Sequence, residues 1–221
     1  MAKRSFAVIG LSSFGYYLAL DLAKNGHDVI VIDNDPEKIE DVKDYVTKAV
    51  EGDASDRKTL QELEITHCDV VVVSLGTSVD VSILATLYLK EMGVKHIMVK
   101  AISEDQGRIV DLIGADSVVF PERDTALRVS NQLRFPNVIE QIEIGEGLQL
   151  VELAVPDRFV GKTLADLNIR HNYNVLVVLI RQTMPARTTL LPDGSRVFQP
   201  DEVLVLLGEA NALEKLQQEL R

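Results

Sequence analysis

The sequence has a single cysteine, Cys68, and no tryptophan among its 221 residues. One thiol can form neither a disulfide framework within the chain nor a four-cysteine metal site. This composition fits a protein of a reducing compartment, so we expect a cytoplasmic location.

Long apolar stretches are also absent. No segment approaches the roughly 20 apolar residues that a membrane span needs. The apolar run after Lys3 and Arg4 is short and leads into a glycine-containing loop, so we expect no signal peptide. The length of 221 residues predicts one large or two small domains, and a hydrophobic content of 46% allows a sizeable core.

Positive charge is scarce, since 23 Lys and Arg residues stand against 34 Asp and Glu, giving a net charge of −11. Nucleic-acid binding depends on clustered Lys and Arg side chains, so we expect no nucleic-acid partner. The same deficit argues against a redox-responsive DNA regulator, which would need a basic winged-helix unit. Solubility is the simplest reason for the acidity.

Up to residue 120, short apolar runs alternate regularly with helix-period segments. The apolar runs predict six strands, at residues 6–9, 29–32, 46–50, 70–73, 96–99 and 117–120. Such alternation predicts an α/β fold, a Rossmann-like doubly wound parallel sheet.

The first crossover carries a candidate phosphate-binding loop. The strand at residues 6–9 ends in Gly10, a short turn closes on Gly15, and a helical pattern follows. The N-terminus of a helix has unpaired N–H groups and partial positive charge, which suit a phosphate, and Asp33 ends the next strand where a carboxylate meets ribose hydroxyls. Ser12 replaces the middle glycine of the dinucleotide fingerprint, which favours the alternative of a Rossmann scaffold with an inactive pocket.

Other candidate ligand groups also follow strands. In doubly wound sheets ligands bind outside the carboxyl ends of the strands. Solvation of loops is the alternative for each residue taken alone, but their common edge favours a binding site. The strand ends supply Gly10, Asp33, Asp53, Gly76, Lys100 and Glu122.

After Pro121 the alternation stops. A helix is predicted to about Phe135, and it either crosses to a partner subunit or covers its own domain. We place the domain boundary after Pro136, giving a nucleotide-binding unit with a crossover helix at 1–136 and a small α+β unit at 137–221. Residues 192–195 (PDGS) have the composition of a hairpin turn.

These features together resemble the RCK family, regulators of potassium conductance, and in particular the cytosolic subunits of Ktr-type and Trk-type potassium uptake systems. The resemblance spans nearly the whole chain. Five stretches carry it: AVIGLSSFG at 7–15, VIDNDPEKI at 31–39, VKA at 99–101, GADSVVFPERD at 114–124 and VGKTLADLNIR at 160–170.

The resemblance implies a regulatory protein without catalysis. Family members bind ATP or ADP, and some bind NAD or NADH, in the N-terminal domain. In Ktr-type relatives these domains form an octameric ring at the inner face of the cell membrane, beneath a membrane-embedded potassium channel or transporter subunit. An NAD(H)-dependent oxidoreductase is the alternative, although the sequence shows no obvious catalytic histidine or Tyr-x-x-x-Lys constellation.

The resemblance also implies roles for individual residues. Asp33, Asn34 and Asp35 would meet the ribose, and Asp53 and Ala54 the adenine. Glu122 would help to hold a divalent cation, Mg or Ca, at the subunit interface; the alternative is an acid that complements a helix dipole. The loop and the phosphate side would comprise Gly10, Ser12, Ser13, Phe14, Gly15, Leu75, Gly76, Thr77, Lys100, Ala101 and Gln106.

Two positions depart from the Ktr-like pattern. Ser12 stands for a glycine, and Ser13 stands for an arginine that reaches a neighbour's γ-phosphate in Ktr-like relatives. Loss of that cation weakens the expected preference for ATP, so NAD(H), ADP or AMP become more credible ligands.

Some relatives bind cyclic di-AMP at the interface between C-terminal domains. The matching positions are Lys162, Asn168, Ile169 and Arg170. The alternative is an ordinary structural turn with Arg170 as a surface charge.

Overall fold

The computed structural model describes residues 2–135 and 137–220. By its internal contacts the chain divides into two compact units, residues 1–123 and 124–221. The boundary predicted after Pro136 lies at a residue outside the described part of the chain.

The first unit contains the predicted parallel sheet. Its strand order is β3-β2-β1-β4-β5-β6, and every neighbouring pair is parallel. The order reverses direction between β1 and β4, which is where doubly wound sheets bind ligands. The strands are β1 (Ser5–Ile9), β2 (Asp28–Asp33), β3 (Lys48–Glu51), β4 (Val70–Val73), β5 (Ile97–Lys100) and β6 (Ser117–Val119).

Helices cover both faces of this sheet. Along β1, Ala7 and Ile9 pack in one buried cluster and Val8 in another, as expected when alternate side chains point to opposite faces and both faces are covered. Asp35 caps α2, since its carboxylate accepts a hydrogen bond from the Glu37 N–H. These helices are α1 (Ser13–Lys24), α2 (Pro36–Val42), α3 (Arg57–Glu62), α4 (Val79–Glu91) and α5 (Glu104–Ile113). Helix α6 (Pro121–Arg134) follows β6 and spans the division between the two units.

The second unit is an antiparallel sheet with short helices, in agreement with the predicted α+β class. Its strand order is β10-β9-β11-β8-β7. The strands are β7 (Val138–Gly145), β8 (Leu148–Ala154), β9 (Leu176–Gln182), β10 (Arg187–Leu190) and β11 (Glu202–Glu209), and the helices are α7 (Leu164–Leu167), α8 (Ile169–Tyr173) and α9 (Ala210–Glu219).

The predicted hairpin at residues 192–195 is wrong. The hairpin in this part of the chain joins β9 to β10, with Gln182 opposite Arg187. The turn at 192–195 is held by the Asp193 carboxylate, which accepts a hydrogen bond from the Ser195 N–H at 2.8 Å. It leads to a single bridge between Val197 and Thr163 instead of a paired strand.

Candidate functional site

The carboxyl ends of the central strands are tied together by backbone hydrogen bonds. Gly10 N–H donates to the Ile32 carbonyl at 2.7 Å, and Ser74 N–H donates to the Ile9 carbonyl at 2.7 Å. Gly52 N–H donates to the Asp33 carbonyl at 3.0 Å. The loops that follow β1, β2, β3 and β4 therefore start from one rigid edge.

The two glycines of the first loop are required by close backbone approaches. Gly10 has a φ of +92°, and a Cβ there would lie 2.5 Å from the Ser74 carbonyl oxygen. A Cβ on Gly15 would lie 2.2 Å from the Gly10 carbonyl oxygen. Any side chain at either position would separate the loop from α1 or from the end of β4.

Ser12 does not need to be glycine for its conformation. Its φ of −61° and ψ of 166° suit any L-residue, and its side chain makes no capping hydrogen bond to α1. Its hydroxyl instead lies 2.6 Å from the hydroxyl of Ser74, which is fully buried at the end of β4. At the position of the fingerprint's middle glycine, this chain thus has a serine whose hydroxyl is hydrogen-bonded to that of Ser74.

Asp33 holds the loop in place through its carboxylate. One oxygen accepts a hydrogen bond from the Leu11 N–H at 2.6 Å, and the other accepts from the Asp35 N–H at 2.9 Å. The Lys38 ammonium lies 3.6 Å from the same carboxylate. Asp33 is 7% exposed, so these bonds form in a largely desolvated setting.

Asp53 belongs to a tight turn after β3. Its carboxylate accepts a hydrogen bond from the Ser55 N–H at 2.8 Å. The Ser55 backbone N–H, with a smaller contribution from the Ser55 hydroxyl, lowers the pKa of Asp53 below its ordinary value. The side chain is exposed and charged at neutral pH, next to the buried Ala54.

A cleft of about 300 Å³ lies at this edge of the sheet. It brings together eight of the predicted site residues: Ser12, Asp33, Asn34, Asp53, Ala54, Leu75, Gly76 and Thr77. Six further residues line it that sequence reasoning did not select: Ile32, Lys38, Gly52, Ser74, Ser78 and Val81. Of these, Lys38 could have been found from its place in the first turn of α2, beside Asp35.

The remaining predicted residues do not line this cleft. Of these, Gly10 lies in the loop after β1, Ser13, Phe14 and Gly15 lie in the first turn of α1, and Asp35 precedes α2.

Lys100 and Glu122 form an ion pair. Lys100 ends β5 with only 5% of its side chain exposed, and its ammonium donates to the carboxylate of Glu122, which is 64% exposed. The hydrogen bond from Lys100 lowers the pKa of Glu122 below its ordinary value. Lys100, which we predicted on the phosphate side, is therefore paired with Glu122, which we predicted as a ligand of a divalent cation.

A divalent cation does not fit the groups of this chain alone. Within residues 2–135 and 137–220, no three His, Cys, Asp or Glu side chains are close enough to hold a metal ion. The nearby Lys100 charge would also oppose a cation at Glu122. A shared cation would need further oxygen ligands from a second copy or from a bound phosphate.

Gln106 and Ala101 are buried behind the strand ends. The Gln106 side-chain carbonyl accepts from the Ile102 N–H at 2.9 Å, and its amide donates to the Ser82 hydroxyl at 3.2 Å. Gln106 is 2% exposed and Ala101 is 1% exposed. The Gln106 side chain thus fastens α5 to α4 and to the loop after β5.

The four positions matched to a cyclic di-AMP site lie around α7 and α8. Asn168, in the left-handed region with a φ of +44°, joins the two helices. Lys162, Asn168 and Arg170 are exposed, whereas Ile169 is 1% exposed and packs in the core of the second unit. The Ile169 side chain is therefore not on the surface that a base would meet.

No helix within the described part of the chain is both long and apolar enough to cross a membrane. This finding agrees with the lack of long apolar runs in the sequence.

Comparison with known proteins gives a family for both units. Residues 6–121 match the TrkA-N domain and residues 148–221 match the TrkA-C domain. The chain is 34% identical to the Ktr system potassium uptake protein C of Bacillus subtilis (strain 168), and the aligned part covers 97% of this chain and 96% of that protein.

Solved structures of the GsuK channel have the same fold. GsuK bound to NAD aligns with a TM-score of 0.65 and 19% identity, over 100% of this chain and 40% of that one. GsuK bound to ADP aligns with a TM-score of 0.51 and 25% identity, over 59% of this chain and 34% of that one. The chain thus spans less than half of the GsuK length.

The two domain matches follow each other in the order that the sequence predicts, and the match to the Bacillus protein runs almost from end to end. The predicted resemblance is therefore confirmed: the chain belongs to the RCK family of potassium uptake proteins, with a TrkA-N domain followed by a TrkA-C domain.

Proposed function

We propose that this chain is the nucleotide-sensing regulatory subunit of a Ktr-type potassium uptake system and has no catalytic role. It would act at the cytoplasmic face of the membrane on a membrane-embedded channel or transporter subunit. The observation that carries the proposal is the cleft at the reversal point of the sheet, where Asp33 fixes the loop before α1.

The cleft suits an adenine nucleotide in one orientation. Ribose hydroxyls would meet Asp33 and Asn34, and the adenine would lie near Asp53 and Ala54. The phosphates would then face Ser12 and the first turn of α1, where N–H groups and the helix dipole favour an anion. ADP and NAD are the ligands of the GsuK structures that share the fold, which supports the same ligand class here.

Regulation requires that the ligand bind two conformations unequally, because only a difference in affinity shifts their populations. The proposed conformations are those of a homo-oligomer, an octameric ring by analogy with Ktr-type relatives. Leu127 and Leu133 of α6 support association between copies, since they are 60% and 79% exposed within one chain.

None of the side chains that line the cleft in the described part of the chain is a histidine, tyrosine or cysteine. A dehydrogenase usually needs such an acid or base beside the nicotinamide. The titratable side chains of the cleft are Asp33, Asp53 and Lys38, and Asp33 and Asp53 already accept backbone hydrogen bonds, which favours ligand sensing over oxidoreduction.

The test combines the mass of the particle with its ligand response. The purified chain is sized by light scattering, and its melting temperature is measured with ATP, ADP, NADH and cyclic di-AMP, each with and without Mg²⁺ or Ca²⁺. The proposal expects a ring-sized particle and stabilisation by at least one adenine nucleotide. A monomer that no nucleotide stabilises would refute it, and turnover of NADH with a small carbonyl compound would favour the oxidoreductase.

A further inference from the structure

The Ser12 and Ser74 hydroxyls form a partly buried pair at the end of the cleft next to α1. Their oxygens are 2.6 Å apart, and both residues line the cleft. Ser74 is fully buried, and Gly15 lies against it, since a Cβ on Gly15 would come 3.2 Å from the Ser74 hydroxyl oxygen. Ser12 is partly exposed.

Burial indicates which of the two hydroxyls donates the hydrogen bond. Within the described part of the chain, the Ser74 hydroxyl has no hydrogen-bond partner other than the hydroxyl of Ser12. If Ser12 donated to Ser74, the Ser74 proton would be left unpaired in the interior, which is costly. Burial therefore favours Ser74 as the donor to Ser12, which makes the Ser12 proton available to a group in the cleft.

Neutral donors predominate at this end of the cleft. The charged side chains among the lining residues are Asp33, Asp53 and Lys38, and the Lys38 ammonium lies 3.6 Å from Asp33 and 3.9 Å from Asp35. The cation among these lining residues, Lys38, is thus already paired with two carboxylates. A diphosphate is better matched to a hydroxyl and backbone N–H groups.

We propose that Ser12, positioned by Ser74, donates a hydrogen bond to the diphosphate of the bound adenine nucleotide and is a specificity-determining residue of the cleft. This inference rests on the proposed function, because it needs an adenine nucleotide in the cleft. It assigns a role to the serine that departs from the glycine of the fingerprint.

The test is calorimetric titration of ADP and of adenosine into the full chain and four variants. Ser12→Ala should weaken ADP binding by about tenfold or more, as expected for a hydrogen bond to a charged group, and leave adenosine binding unchanged. Ser195→Ala is the matched control, because Ser195 is exposed, belongs to the second unit and does not line the cleft. It should leave both affinities unchanged.

Ser74→Ala should weaken ADP binding less than Ser12→Ala, and the double variant should bind ADP like Ser12→Ala alone, because Ser74 acts only through Ser12. Melting curves without ligand show that the variants fold. Equal ADP affinity in wild type and Ser12→Ala, or an equal loss for adenosine, would overturn this inference alone. Absence of any adenine-nucleotide binding by the wild type would overturn the proposed function.

Discussion

Replacing Asp33 by asparagine separates the structural role of this carboxylate from its role toward a ligand. Asp33 accepts from the Leu11 N–H at 2.6 Å and from the Asp35 N–H at 2.9 Å. Asparagine keeps the shape but has one acceptor oxygen, so one of these two N–H groups faces an amide NH₂. Leu11 is 3% exposed, so water cannot readily replace the lost partner.

A hydrogen bond to a charged acceptor contributes about 1.5–3 kcal/mol. We therefore expect Asp33→Asn to lower the free energy of unfolding by about 2 kcal/mol without ligand, which corresponds to roughly 4–8 °C in melting temperature. Stabilisation by adenine nucleotides should also be lost. Differential scanning calorimetry with and without ADP measures both effects.

Asp56→Asn is the matched control. Asp56 caps α3 by accepting from the Lys58 N–H at 3.0 Å, and asparagine is about as good a cap as aspartate. Its melting temperature and its response to ADP should equal those of the wild type. If Asp33→Asn melts like the wild type without ligand, the carboxylate does not anchor the loop and the reasoning fails.

Three further changes test other parts of the site. Gly10→Ala should lower the free energy of unfolding by more than about 2 kcal/mol, because its Cβ would meet the Ser74 carbonyl. Gly26→Ala is the control: Gly26 has a similar φ of +84° but open space around it, so the loss should be about 1 kcal/mol. Equal losses in urea unfolding would contradict the steric argument. Gln106→Ala should lower the free energy of unfolding by about 2 kcal/mol, because the Ile102 N–H loses its acceptor, and ADP affinity should change little. A large loss of ADP affinity in calorimetry with unchanged stability would favour direct contact between Gln106 and the ligand. Because the pKa of Glu122 is lowered in the folded state, its ion pair with Lys100 should stabilise the fold above the ordinary pKa of 4.5, and that contribution should disappear as the pH falls through the lowered pKa. The difference in unfolding free energy between wild type and Glu122→Gln should be about 1–2 kcal/mol at pH 7, because the buried Lys100 ammonium loses its charged partner while exposure of Glu122 screens the pair. The difference should be smaller in acid, and a difference that grows in acid would contradict the assignment.

The sheet could be predicted from the sequence because its pattern is local. Runs such as Val70–Val73 are apolar on both faces, and their regular alternation with helical segments indicates covered parallel strands. Because the carboxyl ends of parallel strands meet at one edge of the sheet, Asp33, Asp53 and Gly76 could be expected in one cleft.

Side-chain partners could not be predicted in the same way. Nothing in the spacing indicates that Ser74 meets Ser12, or that the Gln106 amide bonds to Ser82. These contacts depend on how α1, α4 and α5 pack on the sheet. Strand β10 could not be predicted either, because its residues are mostly exposed at a sheet edge and no apolar alternation marks it.

The most direct test of the central claim is potassium flux through the membrane subunit in liposomes with this chain bound, measured with ADP, ATP, NADH or no nucleotide. The account predicts that flux changes with at least one nucleotide and that Asp33→Asn, added at the same concentration, abolishes the response. Flux that is the same with and without nucleotide, although calorimetry shows the cleft to be filled, would contradict it.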